Sequence, residues 1–511
     1  MDSRTNDSLR DRALIKTKPA AFLSVGLTLF LIVLGVCAPG MSSPRQATQA
    51  AGKPPLSLEP AALHDLAQEA ASRGLVGLSL AVAREGRHIF GENFGRSAIA
   101  PDVAVTQETQ FAIGSVTKQF TAACVLLLAE DGKLAVTDKV AKWFPELTAA
   151  SEITLLDLLN HVSGYPDYYP LDFVDRPMTK PISAEALIHR FATKPLDFEP
   201  GTRFSYSNTG YIILGEIVAR VSGMPFGEFL ERRLLKPLEL TRTVFEPDRE
   251  APGLSRGYSA FALSGPEPAL PEGRGWIGAA GGLYSTAADI VKWDLALIGG
   301  RVLKPESLKL MTSPRTLKDG SLSNYGCGLN IGHPEGRLVY SHGGGVAGFI
   351  AQNTILPESR SAVVILVNFD FPQGVYRSVI RALLSATRPS EAKPETAPSS
   401  ATSAPARGVP SIQGPSAADE ARLLFGQLQK GRVDRGQLGE EFSWFLTEER
   451  IEGASARLSV FGEPKSVELK SLGERGGMEV SNVTFTFASG SLSILMYRTP
   501  DGKVQEFFVS K

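Results

Sequence analysis

Cysteine is nearly missing from this 511-residue chain, which has three. Three thiols build neither a disulfide framework nor a four-thiolate zinc site. Histidine is sparse too: six residues, no two of them four apart, which argues against a helical zinc pair. Neither sign of charge is in surplus, with 53 Lys and Arg against 54 Asp and Glu and a net charge of −1. That balance gives no electrostatic pull toward DNA, RNA or anionic lipid, so a nucleic-acid partner is disfavoured. There is no internal repeat. What is present is ordinary globular text, 43% hydrophobic and 21% charged. At roughly 100–200 residues per domain, the length suits two to four domains.

Arg10, Arg12, Lys16 and Lys18 precede Ala20 to Ala38, a stretch without a charged residue. A basic segment followed by an apolar run reads as a secretory signal, and the run is also close to a minimal membrane span. Residues 1–41 are therefore expected to be a signal peptide or membrane anchor. Attachment, if any, would be through residues 20–38, with the rest periplasmic or extracellular. Cys37 weakly matches a lipoprotein site, spoiled by the bulky Val36 before it. Residues 42–57 read as a tether. Residues 388–416 are dominated by Pro, Ser, Ala and Thr, a composition that cannot offset its ordering entropy, and are expected to be a disordered linker. They divide a main domain, 58–387, from a small α+β unit, 417–511.

In the main domain, Val76 to Ala83 and His88 to Phe94 predict a β-hairpin across Arg84-Glu-Gly-Arg87. Helical text follows Ser115 and stops at Gly132. Strand text returns at Leu338–Tyr340, Ile350–Leu356 and Ala362–Asn368, and Tyr376–Leu384 reads as a closing helix. Strands at both ends with helices between predict an α+β fold: an antiparallel sheet flanked by helices, with an inserted helical lobe. The C-terminal unit reads as one helix, Ala418–Lys430, with an apolar stripe of Leu423, Leu424, Phe425 and Leu428, on a curved sheet that ends after an Asp501-Gly502 turn. It is faintly similar to nuclear-transport-factor-like domains and carries no cluster of titratable residues.

Three short motifs carry chemistry. Ser115-Val-Thr-Lys118 opens an apolar helix, which puts serine and lysine one turn apart on one face. There a lysine can hold or take the serine proton, and the helix N-terminus favours developing negative charge. A helix-capping serine is the plainer reading of that motif alone. A second match, Ser390-Glu-Ala-Lys393, runs into Pro394 and cannot start a helix. Tyr206-Ser-Asn208 sits in text typical of a tight loop, and a tyrosine beside an ammonium ionises more easily and can serve as a general base. An ordinary turn with a packed tyrosine fits it too. His342-Gly343-Gly344-Gly345 lies on or beside a strand, where glycines permit close backbone approach and the histidine adds a cation near neutral pH. A glycine-rich turn with an incidental histidine is the alternative. No Gly-x-Ser-x-Gly elbow occurs.

In this order the three motifs resemble the serine β-lactamase and penicillin-binding superfamily, closest to its class C branch with related esterases, D-aminopeptidases and carboxypeptidases. Thr154-Leu-Leu-Asp-Leu-Leu-Asn-His161-Val-Ser-Gly164, Gly281-Gly-Leu-Tyr-Ser-Thr286 and Tyr325-Gly-Cys-Gly-Leu329 fit the same branch, over residues 60 to 388. The resemblance implies a β-lactamase-like α/β sandwich with Ser115 as nucleophile and Lys118 and Tyr206 activating it. The backbone N–H groups of Ser115 and Gly345 would form the oxyanion hole, beside Gly344, worth about 3 kcal/mol per donor. Asn208 would hold the substrate amide or Lys118, and His342 would orient the leaving side or a carboxylate. Trp276 and the cluster Tyr165, Tyr168, Tyr169 and Phe173 would line the cleft or pack the lobe, and His161 reads as structural.

The branch commonly has Lys-Thr-Gly where this chain has His342-Gly343-Gly344, so a permanent cation and a hydroxyl are replaced. Weak β-lactam hydrolysis is therefore expected, with better turnover of esters or of short peptides, D-amino-acid peptides included. The expected protein is an exported serine hydrolase that forms an acyl-enzyme on a small-molecule or peptide substrate, cell-wall material among the candidates, with no metal or cofactor. The main rival is a penicillin-binding or peptidoglycan-sensing module that acylates with little turnover. A scaffold without catalysis would need none of Ser115, Lys118, Tyr206 and Asn208 together. Ester turnover is expected to survive removal of residues 389–511. Whether Cys124 and Cys327 pair stays open.

Overall fold

The computed structural model describes residues 75–370 (apart from 172 and 173) and 409–510, with isolated positions 61, 64, 65 and 68. The apolar run at 20–38, the tether, Phe173, the helix expected at Tyr376–Leu384 and Ser390 lie outside the described residues. Among the described residues, no helix is long and apolar enough to cross a membrane.

The first described strands form the expected hairpin, β1 (Gly77–Arg84) and β2 (Arg87–Ala98), followed by the short β3 (Val103–Ala104). A distant group, β9 (Asn330–Gly332), β10 (Val339–Val346), β11 (Phe349–Leu356) and β12 (Ser361–Val367), completes a seven-stranded antiparallel sheet in the order β3-β2-β1-β12-β11-β10-β9. Central β1 (GLSLAVAR) and β12 (SAVVILV) are buried on both faces, which is why they read as almost unbroken apolar text. On one face Ala81, Ala83 and Ala362 are small enough to admit the helix Ala287–Ile298, while Leu80, Val82, Val363 and Ile365 fill the other.

The helix Thr117–Glu130 is apolar all round and buried from Thr117 to Leu128, so its polar side chains have no solvent to turn to. It ends where expected, with Gly132 at φ +70°. A small sheet of β4 (Phe111–Ala112), β8 (Leu283–Ser285) and β5 (Val244–Phe245) ties the start of this helix to the short helical turn Gly278–Gly281. Two further hydrogen bonds secure that join, Ile113 N to Leu283 O (3.0 Å) and Thr121 Oγ1 to Ala279 O (2.7 Å). A two-stranded hairpin, β6 (Tyr258–Ser259) and β7 (Glu267–Pro268), projects from the same region.

The C-terminal unit is richer than one helix on a sheet. Three helices, Ala417–Gln429, Glu440–Phe445 and Glu448–Leu458, accompany a four-stranded antiparallel sheet of β13 (Ser466–Arg475), β14 (Met478–Phe487), β15 (Gly490–Arg498) and β16 (Val504–Ser510). β13 was illegible because its text (SVELKSLGER) is polar and half-exposed, as suits an edge strand. Leu424, Phe425 and Leu428 enter the core with Val483, Phe485 and Ile494, but Leu423 faces outward. The last residues assigned to the linker are tied down: Gln413 N donates to Pro500 O, Pro415 O accepts from Arg498, and Ser416 caps the first helix. Proline-rich composition hid these backbone contacts. Cys124 and Cys327 are both free and buried, and burial pushes the Cys327 thiol up to about 12.

Candidate active site

Ser115 sits in a single 3-10 turn, Gly114–Val116, that feeds the buried helix. The turn is wedged against β10. β9 pairs with β10 only as far as Ser341, so from His342 onward that edge of β10 is left to face the turn. The two backbones approach so closely that neither tolerates a side chain. A Cβ on Gly344 would lie 2.0 Å from Ile113 O, and one on Gly114, whose φ is +50°, would lie 3.0 Å from Gly345 N. The glycine run is thus strand rather than turn. The amides of Ser115 and Gly345 border the same seam.

One turn along the helix, Lys118 is fully buried. Its Nζ lies 3.0 Å from Ser115 Oγ, 2.7 Å from Asn208 Oδ1 and 2.8 Å from Ala280 O. The orientation of the Asn208 amide is fixed independently. Its Nδ2 donates to both carboxylate oxygens of Asp167 (3.0 and 3.3 Å), and its backbone N–H donates to Asp167 Oδ1 (3.0 Å), as does the Tyr169 N–H (3.2 Å). Oδ1 is thereby turned to the lysine. Asn208 Oδ1 and Ala280 O can only accept, so two lysine N–H bonds are committed and the third tetrahedral position of Nζ faces Ser115 Oγ. Nζ also lies 4.8 Å from the centroid of the Tyr206 ring, within cation–π range.

His161 brackets Tyr206. Its carbonyl accepts from the Ser205 N–H (3.0 Å), its Nδ1 accepts from the Ser207 N–H (3.1 Å), and its ring lies 4.2 Å from the tyrosine ring between them. Because Nδ1 accepts, a neutral ring carries its proton on Nε2. Burial, with the charge of Lys118 nearby, holds its pKa well below the ordinary histidine value.

His342 departs from the expectation of a cation. It is buried, its Nδ1 lies 2.6 Å from Gly343 O and its Nε2 lies 2.8 Å from Tyr325 Oη. A carbonyl only accepts, so Nδ1 carries the proton and Nε2 accepts from the Tyr325 hydroxyl. Burial first, then the charge of Lys118, lowers its pKa to about 3, so the ring is neutral. The third motif therefore brings an uncharged surface to the seam. Trp276 is buried, with its indole N–H donating to Lys180 O (2.7 Å) and its carbonyl accepting from Tyr168. Tyr165, Tyr168 and Tyr169 are buried lobe packing.

Sequence reading missed Asp167 and the carbonyl of Ala280. The first is one aspartate in a proline- and tyrosine-rich loop, and the second is a backbone atom with no sequence signature. Among the described residues no group of three or more His, Cys, Asp or Glu side chains is placed to hold a metal ion.

A D-aminopeptidase of Brucella ovis is 27% identical over 298 residues, 58% of this chain and 56% of the relative, so the match spans little more than half of that protein. The D-amino acid amidase of Ochrobactrum anthropi SV3, solved with D-phenylalanine, is 27% identical with a TM-score of 0.56, over 63% of this chain and 98% of its own. The octameric penicillin-binding protein homologue of Pyrococcus abyssi shares the fold over 88% of this chain and all of its own, with a TM-score of 0.56 at 20% identity. The Beta-lactamase family model matches residues 63–388, well over half of the sequence, and with it the chain belongs to the beta-lactamase family of serine hydrolases.

Proposed function

We propose that the protein is an amidohydrolase that cleaves short amides or peptides, those of D-amino acids foremost, through an acyl-enzyme on Ser115. The observation that carries this is the Lys118 ammonium, held by two obligate acceptors and directed at Ser115 Oγ from 3.0 Å. The serine hydroxyl attacks the substrate carbonyl and its proton passes to the Tyr206 oxygen, which the adjacent Lys118 ammonium helps to ionise. The oxyanion forms at the seam between the Ser115 and Gly345 amides, worth about 3 kcal/mol per donor. The proton then goes to the departing amine. Water enters by the same route in reverse, releasing the acid and restoring Ser115.

The choice of amides over β-lactams follows from the third motif. A β-lactam presents a carboxylate that a cation would hold, and here His342 is neutral and Gly343 offers no hydroxyl. The names of the relatives support D-amino-acid substrates. The basic segment and apolar run at 10–38 support export. The test compares the full chain with Ser115→Ala on D- and L-phenylalanine amide and on penicillin G. The expected result is Ser115-dependent turnover of the D-amide above the L-amide and above penicillin. Stable acylation by penicillin without steady-state turnover of any amide would replace this reading with the sensing module.

A further inference from the structure

Among the described residues the C-terminal domain touches the rest of the chain at three main places, and two of them, at Pro170 and Arg176, fall shortly after Asp167 in the sequence. Arg176 donates its backbone N–H and its guanidinium to Glu441, with N···O distances of 2.9–3.2 Å, and reaches Glu440 at 2.9 Å. Farther along the molecule, Phe261 and Ala262 of the β6–β7 hairpin enter the C-terminal core, and their carbonyls accept from Arg457 (3.2 and 2.8 Å). The third contact is at the β13–β14 turn. Arg475 pairs with Met478 across a tight Gly476-Gly477 turn, and that turn rests on Pro170 so closely that a Cβ on Gly476 would lie 2.3 Å from the proline Cβ. Gly476 also has φ +58°, so both shape and backbone call for glycine there.

The loop under this turn is the one that orients Asn208. Pro166 O accepts from Thr209 Oγ1 (2.6 Å), and Asp167 takes three hydrogen bonds from Asn208. We propose that the β13–β14 turn is a wall of the substrate cleft, and that Arg475, at the base of that turn, is a positioning residue that acts on the Asp167 loop and, through it, keeps the Asn208 amide turned toward Lys118. This rests on the reading of Ser115 as nucleophile given above.

The electrostatics agree with the geometry. Burial wins and raises Asp167 above its ordinary value, and the Arg475 charge is the largest influence opposing that rise, ahead of its hydrogen bonds from Asn208 and Tyr169. The other charged or titratable groups around the loop are Asp197, which feels Asp167, Glu474 and Arg203, together with the Tyr168 hydroxyl and Lys118 beyond Asn208. Among these, the cation whose field acts on Asp167 comes from the C-terminal domain. A protonated Asp167 would lose an acceptor for the Asn208 amide and free that amide to rotate.

The test uses the full chain with Arg475→Met, Arg475→Lys and Gly476→Val, with D-phenylalanine amide as probe. Arg475→Met is expected to lower kcat/KM about tenfold, the order of effect of a slightly misplaced site group. Its acid limb should move to higher pH, because an Asp167 without the cation protonates more readily. Arg475→Lys should recover at least half of that loss on a logarithmic scale. Gly476→Val should raise KM more than it lowers kcat. Hydrogen exchange, which needs no turnover, should quicken at residues 166–170 and 208–209 in Arg475→Met but not in Arg475→Lys. Wild-type kcat/KM, pH profile and exchange in Arg475→Met would overturn the proposal, as would equal losses in Met and Lys. Turnover that survives Ser115→Ala would instead overturn the catalytic reading, leaving exchange to decide the role of the turn.

Discussion

Asp294, on the helix that packs against the central sheet, is fully buried and linked to Asn353 of β11 by one hydrogen bond, Nδ2 to Oδ1 at 2.8 Å. The two remaining atoms of the pair, Asp294 Oδ2 and Asn353 Oδ1, are buried without partners, and both are acceptors if the carboxyl is ionised. A proton on Oδ2 would donate to Asn353 Oδ1 and satisfy both at once. Burial, opposed only by the Asn353 bond, raises the Asp294 pKa well above its ordinary value, as that arrangement requires. The sign of the pH effect follows. The folded carboxyl keeps its proton where the unfolded one has lost it. Stability is therefore complete below about pH 4 and falls as pH rises toward the folded pKa, by about 1.4 kcal/mol per unit. Asp294→Asn replaces the O–H donor with an N–H donor and removes the titration. As pH rises above 5 the variant should gain steadily on the wild type, at up to about 1.4 kcal/mol per unit until the folded carboxyl titrates. Thermal unfolding at half-unit pH steps measures it. Curves that stay parallel from pH 5 to 7 would refute the neutral pair.

Removing the ring that brackets Tyr206, as in His161→Ala, should lower kcat at least tenfold and destabilise by about 2 kcal/mol, from one lost hydrogen bond and the strain of φ +56° without histidine. His161→Asn, which tolerates that φ and offers an acceptor, should recover part of both in turnover and urea titrations. Gly344→Ala should abolish turnover and unfold early, since its Cβ would meet Ile113 O at 2.0 Å; a wild-type melting curve with full activity would contradict the wedge between turn and strand. The pH profile of kcat/KM should show no step near pH 6.5 from His342, whose pKa lies at about 3, and a step there that vanishes in His342→Gln would show a titrating ring. Cys124 and Cys327 should react with a thiol reagent only after denaturation, because both are buried and free.

The parts of this molecule that the sequence made legible are those with local periodicity or punctuation. β1, β12 and the Ser115 helix announce themselves as apolar runs with defined stops, and the hairpin at Arg84–Arg87 has its turn residues. Ser115, Lys118 and Asn208 were legible as motifs, and the fold brings the three side chains to one nitrogen. The charge state of His342 was not. It depends on burial and on the charge of Lys118, which comes from a distant part of the chain and which no spacing encodes. Asp167 was missed for the same reason, since its role exists only through a hydrogen bond to a residue 41 positions on. The C-terminal domain offered no titratable cluster, and the turn that touches Pro170 carries glycines that look like those of any other hairpin.

The most direct test of the central claim is an acid-quenched mass measurement of the full chain mixed with p-nitrophenyl butyrate, beside Ser115→Ala. The structure predicts that the wild type releases nitrophenol and carries one butyryl group, mapped by peptide digestion to Ser115, and that the variant does neither. Equal nitrophenol release from both proteins, or an adduct on any other residue, would contradict an acyl-enzyme built on the Ser115–Lys118 pair.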